Sequence, residues 1–487
     1  MMVVSLYTSR VILGALGVSD FGIYNVVGGV VAMFSVISGA LSAAISRFIT
    51  YELGKGDQSK LNKIFSASVT IQLLLSLIIV VLIESVGVWF LNAKMTIPEG
   101  RIIAANWVLQ FSIITFVINL ISVPYNAAII AHEKMSAFAY ISILEAIGKL
   151  AIAFLIMVSP MDRLIFYAIL MCAVAIIVRL TYGHYCKKHF SECIYHFHWD
   201  KGILKKMFGF AGWNFIGASA GVLRDQGVNV VINLFCGPTV NAARGLAIQV
   251  NTAINSFVQN FMTALNPQIT KSYAAGDKMY MFTLLFQGAR LSFFMLLFLS
   301  LPVLVNTDYI LHLWLKTVPN YTVIFVQLTL ILALVESISY PLITALLSTG
   351  IIKKYQILAG GVNLLNLPIS YLILRLGVAP YMTLIVAIVI AICCLFIRLW
   401  LLRDLLAFPV SSYFRKVITN IIFVAFLSAL IPFFIKGRLN ENLLSVVAVV
   451  LLCFISTALS VFFVGCSVQE RLFIKNIIKK KLLHGKA

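Results

Sequence analysis

Residues 8–57 read TSRVILGALGVSDFGIYNVVGGVVAMFSVISGALSAAISRFITYELGKGD. The stretch parses as an apolar helix end carrying Arg10, a tight break at Gly17-Val18-Ser19-Asp20, a long apolar helix, and a polar exit from Glu52 to Asp57. Shifted along the chain without a gap, the pattern returns at 228–277. Val11-Ile12 falls on Val231-Ile232, Gly17 on Gly237, Val30 on Val250, Ala44 on Ala264, Ile49-Thr50 on Ile269-Thr270, and Gly56-Asp57 on Gly276-Asp277. A match at one fixed offset is the mark of an internal repeat, so the chain reads as two related halves.

The bulk numbers say what surrounds those halves. Of 487 residues, 61% are hydrophobic and only 11% charged, and the mean hydropathy is +1.01. Apolar runs of about twenty residues recur from end to end, which predicts an all-α polytopic membrane protein. The short alternating segments of a membrane β-barrel are absent. A net charge of +20 suggests nucleic acid at first sight, but no basic soluble domain exists to bind it, and cytoplasmic loop bias explains the excess. The opening MMVVSLYTSR lacks the charged region and small-residue site of a cleavable signal peptide.

Hydropathy places fourteen spans at about 1–16, 21–47, 63–91, 103–131, 135–158, 162–185, 206–235, 239–265, 283–310, 321–348, 354–375, 379–402, 416–435 and 443–466. The first is short: at about 1.5 Å per residue it reaches roughly 24 Å, under the roughly 30 Å hydrocarbon core. A start upstream of Met1 is therefore expected. Loops after even-numbered spans carry sixteen Lys and Arg, with more in the tail from Arg471 to Lys486, against seven after odd-numbered spans. The positive-inside rule then puts both termini in the cytoplasm. Trp89, Trp107 and Trp314 fall near the outer interface, Trp199 and Trp400 near the inner one.

Six spans separate the repeat units, so both halves cross in the same direction and should be related by an axis along the membrane normal. ISVPYNAA at 121–128 and ISYPLITA at 338–345 repeat the relation, and each Pro should kink its helix. The expected organisation is a six-helix bundle over 1–185, a cytoplasmic linker over 186–205, a second six-helix bundle over 206–402, two further helices over 403–466, and a basic tail over 467–487. The longest stretch outside the bilayer is about 186–205, too short for a catalytic domain.

An ionisable side chain within the hydrocarbon costs roughly 2.5–3.5 kcal/mol on insertion scales, so each needs a reason. The cations are Arg10, Arg224, Arg244 and Arg290, with Lys149, Arg179, and Arg47 at a helix end; the acids are Glu84, Glu145, Asp225 and Glu336. Three of the arginines lie in spans 1, 7 and 8, the repeated ones. A polar cavity lined mainly by arginine suits an anionic cargo, because guanidinium forks bind phosphate oxygens bidentately and stay charged. Plainer readings stand beside this one. Arg47 either snorkels to the interface or lines the cavity. Glu145 and Lys149, four apart, neutralise each other if they share a helix face. Arg224 and Asp225 are adjacent, point in different directions and should need separate partners. Glu84 lies near an outer, wetted end. Asp225, Glu145 and Glu336 are the candidate proton or cation couplers.

His184, Cys186, His189, Cys193, His196 and His198 invite a metal check. Only the His184–His189 spacing fits a zinc pair, and an interfacial His/Lys loop is the better account. The other cysteines lie in apolar helices, where they act as small packing residues with no disulfide framework. Gly28-Gly29 and Gly217-x-x-x-Gly221 read as close helix packing. Phosphate-binding glycine loops and hydrolase motifs are missing, so neither an enzyme nor a cofactor is expected.

The stretch SLYTSRVILGALGVSDFGIYNVVGGVVAMFSVISGALSAAISRFITYELGKGD resembles the opening of bacterial polysaccharide-repeat-unit (O-antigen, Wzx-type) flippases. Their superfamily also contains multidrug/toxin extruders and the lipid II flippase. PYNAAIIAHEKMSAFAYISILEAIGKL at 124–150 and STGIIKKYQILAGGVNLLNLPISYLILRLG at 348–377 resemble the same proteins. The likeness covers most of spans 1 to 12. It implies a V-shaped pair of six-helix bundles that rock between inward- and outward-open forms in the bacterial inner membrane. The implied cargo is an undecaprenyl-diphosphate-linked oligosaccharide, with polysaccharide polymerase and glycosyltransferases as partners. Arg10 sits where related flippases carry a functional helix 1 arginine; Arg224 and Arg244 match a looser motif. Two other readings remain: a multidrug/cation antiporter of the same fold, which would favour acidic cavity residues, and a polytopic polymerase or glycosyltransferase, which would need larger outer loops.

Overall fold

A computed structural model of the chain describes residues 35–93, 99–159, 161–196, 200–315, 318–438, 442–467 and 469–472, together with positions 11, 12, 15, 16, 20, 23, 24, 27, 31 and 97. Among them the regular structure is helical and no strand occurs. The first unit comprises residues 1–219 with 273–275, the second 220–272 with 276–487. The division falls at Ser219–Ala220, beyond the 186–205 loop, and the last two apolar helices belong to the second unit.

The first unit runs α1 (Ser35–Lys55), α2 (Gln58–Ala93), α3 (Ile102–Ala131), α4 (Met135–Val158) and α5 (Arg163–His189). α3 and α5 pack against each other most extensively, and α1 and α2 lie against α3. Their core gathers Val27, Ile79, Ile83, Val108, Leu109, Leu120 and Leu164, each nearly or wholly buried. Then comes α6, a helical run over Lys201–Ala274. The second unit continues with α7 (Lys278–Val305), α8 (Thr307–Leu315), α9 (Thr322–Ser337), α10 (Tyr340–Thr349), α11 (Lys353–Arg375), α12 (Met382–Leu406), α13 (Val410–Lys436) and α14 (Leu443–Gly465). Nine of these described helices are long and apolar enough to cross a membrane, and the bent pair α9–α10 makes a tenth. Large apolar side chains such as Leu77, Ile147, Phe426 and Leu444 stand exposed on their outer faces, as lipid-facing helices require.

The repeat seen in the sequence is a repeat of turns. Gly56 (φ 75°) ends α1 and Gly276 (φ 79°) ends α6 in the left-handed conformation that glycine tolerates. One residue later Asp57 and Asp277 each cap the next helix, accepting from the backbone N–H of Lys60 and Tyr280. The same residues at the same offset build the same helix–Gly–Asp–helix corner twice.

Two expectations change. The sequence separates two spans at 206–235 and 239–265, yet the backbone keeps local α geometry through Lys201–Ala274. The run is nevertheless not straight. Arg224 bonds to Glu336, and Asn255 bonds to Tyr340, one turn further along. On a straight helix residues 224 and 255 would stand about 46 Å apart, several times the distance from Glu336 to Tyr340. The chain therefore bends back between them, in the stretch that carries Gly237 and Pro238. The two prolines also behave differently. Pro341 begins α10, and α9 and α10 meet at 41°, whereas Pro124 sits inside the uninterrupted helix α3.

Candidate functional site

The second unit holds a polar seam where the two arms of α6 meet α9, α10 and α11. Glu336, Tyr340, Thr344 and Ser348 follow one another every four residues, so they share a face despite the bend. Each finds a partner. Arg224 Nη1 donates to Glu336 Oε1 at 2.9 Å and lies 3.5 Å from Asn363 Oδ1. Asn255 Nδ2 meets the Tyr340 hydroxyl at 3.0 Å, Thr344 donates to Asn266 Oδ1 at 2.7 Å, and the Thr270 and Ser348 hydroxyls share a bond of 2.9 Å. Polar side chains in hydrocarbon must be satisfied internally, and this ladder satisfies a column of them.

Charge concentrates at one end of the seam. Arg224 Nε also donates to Asp225 Oδ1 at 2.9 Å, so one guanidinium joins two carboxylates. This corrects the expectation that adjacent Arg224 and Asp225 need separate partners. Their Cα–Cβ bonds diverge, but the arginine side chain is long enough to curl back along the helix surface to its neighbour. Arg244, from the other arm, is 7% exposed and its Nε and Nη1 have no hydrogen-bond partner among the described residues. The charges of Asp225 and Arg224 act on it. Arg398 of α12, 9% exposed, also has an Nε without a partner among the described residues. Sequence reading missed Arg398, Asn363, Asn255 and Tyr340. Arg398 was detectable as one more cation inside an apolar run; the neutral residues carried no signal until the fold aligned them.

The remaining residues lie elsewhere. Arg10 falls outside the described residues. Arg47 packs over the rings of Phe48 and Tyr51, 4.7 and 4.6 Å from their centroids, with Phe210 at 5.7 Å. Arg290 donates to Glu470 at 2.8 Å and to the Gly465 carbonyl at 3.2 Å, tying α7 to the end of α14. Glu145 and Lys149 pair with each other at 2.6 Å on the open side of α4, as their spacing predicts. Glu84 accepts from Gln110, and Arg179 lies 3.9 Å from the ring centre of Tyr125.

The described part of the histidine and cysteine loop contacts protein groups. Among the described residues no cluster of metal-ligand type forms; His198 lies outside them. Cys186 is buried against the Tyr125 carbonyl, and His189 bonds to the Tyr185 carbonyl. The segment 190–196 is strapped along α2. Glu192, 3% exposed, takes His132 Nε2 at 2.5 Å and Gln58 Nε2 at 3.2 Å, while Asn62 donates to the carbonyls of 192 and 194. Burial pushes the Glu192 carboxyl upward, but the bonds from His132 and Gln58 outweigh it and hold the group below its ordinary value.

A family model described as polysaccharide biosynthesis protein matches residues 1–273, and a MatE model matches 224–372. The uncharacterized membrane protein EpsK of Bacillus subtilis is 20% identical over 276 residues, covering 56% of this chain and 54% of that protein. The chain thus spans about half the length of the curated relative it matches. Among solved structures, an outward-facing multidrug resistance MATE family transporter of the MOP superfamily superposes with a TM-score of 0.68 at 11% identity, covering 82% of this chain and 90% of that one. A MOP superfamily transporter from Pyrococcus furiosus gives 0.66 at 11% identity, covering 82% and 91%. At these identities the likeness is one of fold.

Proposed function

Because the chain belongs to the polysaccharide biosynthesis protein family, we propose that this membrane transporter is a flippase for undecaprenyl-diphosphate-linked oligosaccharide repeat units. It carries them across the bacterial cytoplasmic membrane by alternating access, with both chain termini in the cytoplasm. One observation supports the reading: Arg244, buried in an apolar unit, has two guanidinium nitrogens, Nε and Nη1, with no hydrogen-bond partner among the described residues. A buried unpaired cation costs several kcal/mol, and a diphosphate oxygen is the group its fork fits best. Arg10, Arg47, Arg224 and Arg290 complete the proposed cationic set. Arg224 is partly neutralised by its carboxylates, and Arg290 by Glu470.

The carboxylates give the coupling. Protonating or metallating Asp225 or Glu336 would release Arg224 towards an anionic head group, linking an ion gradient to cargo affinity. Cation antiport is the poorer reading on the same evidence, since both acids already accept from Arg224. Deletion of the gene tests the choice. A flippase deletion strands lipid-linked repeat units on the cytoplasmic leaflet and removes surface glycan, and an antiporter deletion changes drug susceptibility instead.

A further inference from the structure

The first unit contains a cavity of about 180 Å³ between α3, α5 and the segment bearing Tyr24 and Val31. Its lining is unusual for the depth at which it lies. Ser112, Thr115 and Asn119 contribute polar atoms from one face of α3, spaced three and four residues apart. They stand about 15–26 Å along a helix of 30 residues that begins at Ile102 and is about 45 Å long, so they occupy its middle third, the part that a roughly 30 Å hydrocarbon layer centred on the helix would enclose. Thr115 donates to the Phe111 carbonyl at 2.7 Å, leaving its lone pairs open. Neither the Ser112 hydroxyl nor the Asn119 carboxamide has a hydrogen-bond partner among the described residues. Aromatic rings flank them: Phe111, Phe116 and Tyr24 line the same space, with Tyr24 held edge-on to Tyr167 at 4.5 Å. None of the described lining residues is charged.

We propose that this cavity is a subsite for one uncharged sugar ring of the cargo. The inference rests on the transport reading above. Amide and hydroxyl groups that face such a space without a partner among the described residues suit a ligand that both donates and accepts. Flat aromatic faces beside them suit the C–H side of a pyranose. The described lining offers no charge to pair with a diphosphate or a bare cation, and the volume lies below the 300–1,000 Å³ usual for drug-sized ligands. Asn119 supplies the donor and acceptor pair, Ser112 and Thr115 add hydroxyls, and Phe111 and Phe116 form the wall.

The test uses purified full-length protein in vesicles with two probes, undecaprenyl diphosphate carrying one N-acetylhexosamine and bare undecaprenyl diphosphate, each timed as it reaches the opposite leaflet. Asn119→Leu and Phe111→Ala are expected to slow the glycosylated probe about tenfold, the equivalent of one good polar contact, while the bare lipid moves as in wild type. Equal slowing of both probes, or of neither, overturns the subsite while leaving the transport reading intact. Wild-type protein that moves neither probe overturns the transport reading and the subsite with it. If Asn119→Leu fails to fold, Ser112→Ala removes a single hydroxyl and must show the same bias towards the glycosylated probe.

Discussion

Arg224 of the first arm of α6 and Glu336 of α9 are joined at 2.9 Å, at 17% and 28% side-chain exposure. This pair fixes where the bend in α6 falls relative to the seam, and it draws Asp225 into the same group. A partly buried pair of this kind is worth more when broken than when replaced. Glu336→Leu should therefore lower stability by about 2 kcal/mol, while Arg224→Leu combined with Glu336→Leu should recover part of the loss. Thermal unfolding in detergent checks this; a double variant as unstable as the sum of the singles would mean that the two do not interact.

The corners at Gly56 and Gly276 make a matched prediction. Nothing lies within 4 Å of a Cβ placed at either position, so only the left-handed backbone penalises a side chain. Gly56→Ala and Gly276→Ala should each cost about 1–2 kcal/mol. Equal shifts in the unfolding midpoint would identify the two turns as energetic equivalents.

At the far end of the first unit Arg101 links Asp20 to Asp162, the residue that caps α5. Burial raises the Asp162 carboxyl, but Arg101 and the amides of Ile165 and Leu164 outweigh it and hold it below the usual range. A carboxylate depressed in the folded state contributes stability in full above its unfolded value, about 3.9, and loses it as pH falls through the folded value. Wild-type protein should thus lose stability as pH drops from about 5 towards 3, and Asp162→Asn, weaker at neutral pH, should show a shallower decline. Parallel curves would contradict the assignment.

Glu192 holds segment 190–196 against α2 and His132. Glu192→Ala removes the acceptor for two side chains. Amide hydrogen exchange across 190–196 should rise by at least about tenfold, the equivalent of 1.4 kcal/mol, with the exchange of α3 unchanged.

The sequence made the helical class legible because composition and span length leave few alternatives in a bilayer. It also made the repeat legible, because Gly-Asp corners demand those residues at those places. The reversal within α6 was legible as two spans, 206–235 and 239–265, but its unbroken α geometry was not. The contacts that accompany the reversal, through Arg224, Asn255, Glu336 and Tyr340, join residues up to 116 apart and were not visible in the sequence. The site was half visible. Arg224, Asp225, Arg244 and Glu336 stood out because charge in an apolar run is costly. Asn255, Asn266, Tyr340, Asn363 and the Ser112–Asn119 stripe are neutral, and only packing reveals that they share a seam or a cavity.

Arg244 offers the most direct test of the account. A flippase-null strain carrying wild type, Arg244→Ala or Arg244→Lys is scored for surface polysaccharide, with protein level measured in the membrane. Since Arg244 Nε and Nη1 have no hydrogen-bond partner among the described residues, Arg244→Ala should accumulate normally, abolish surface glycan and strand lipid-linked repeat units on the inner leaflet, with partial rescue by lysine. Full surface glycan in the alanine strain at normal protein level would contradict the claim that this buried cation carries the diphosphate.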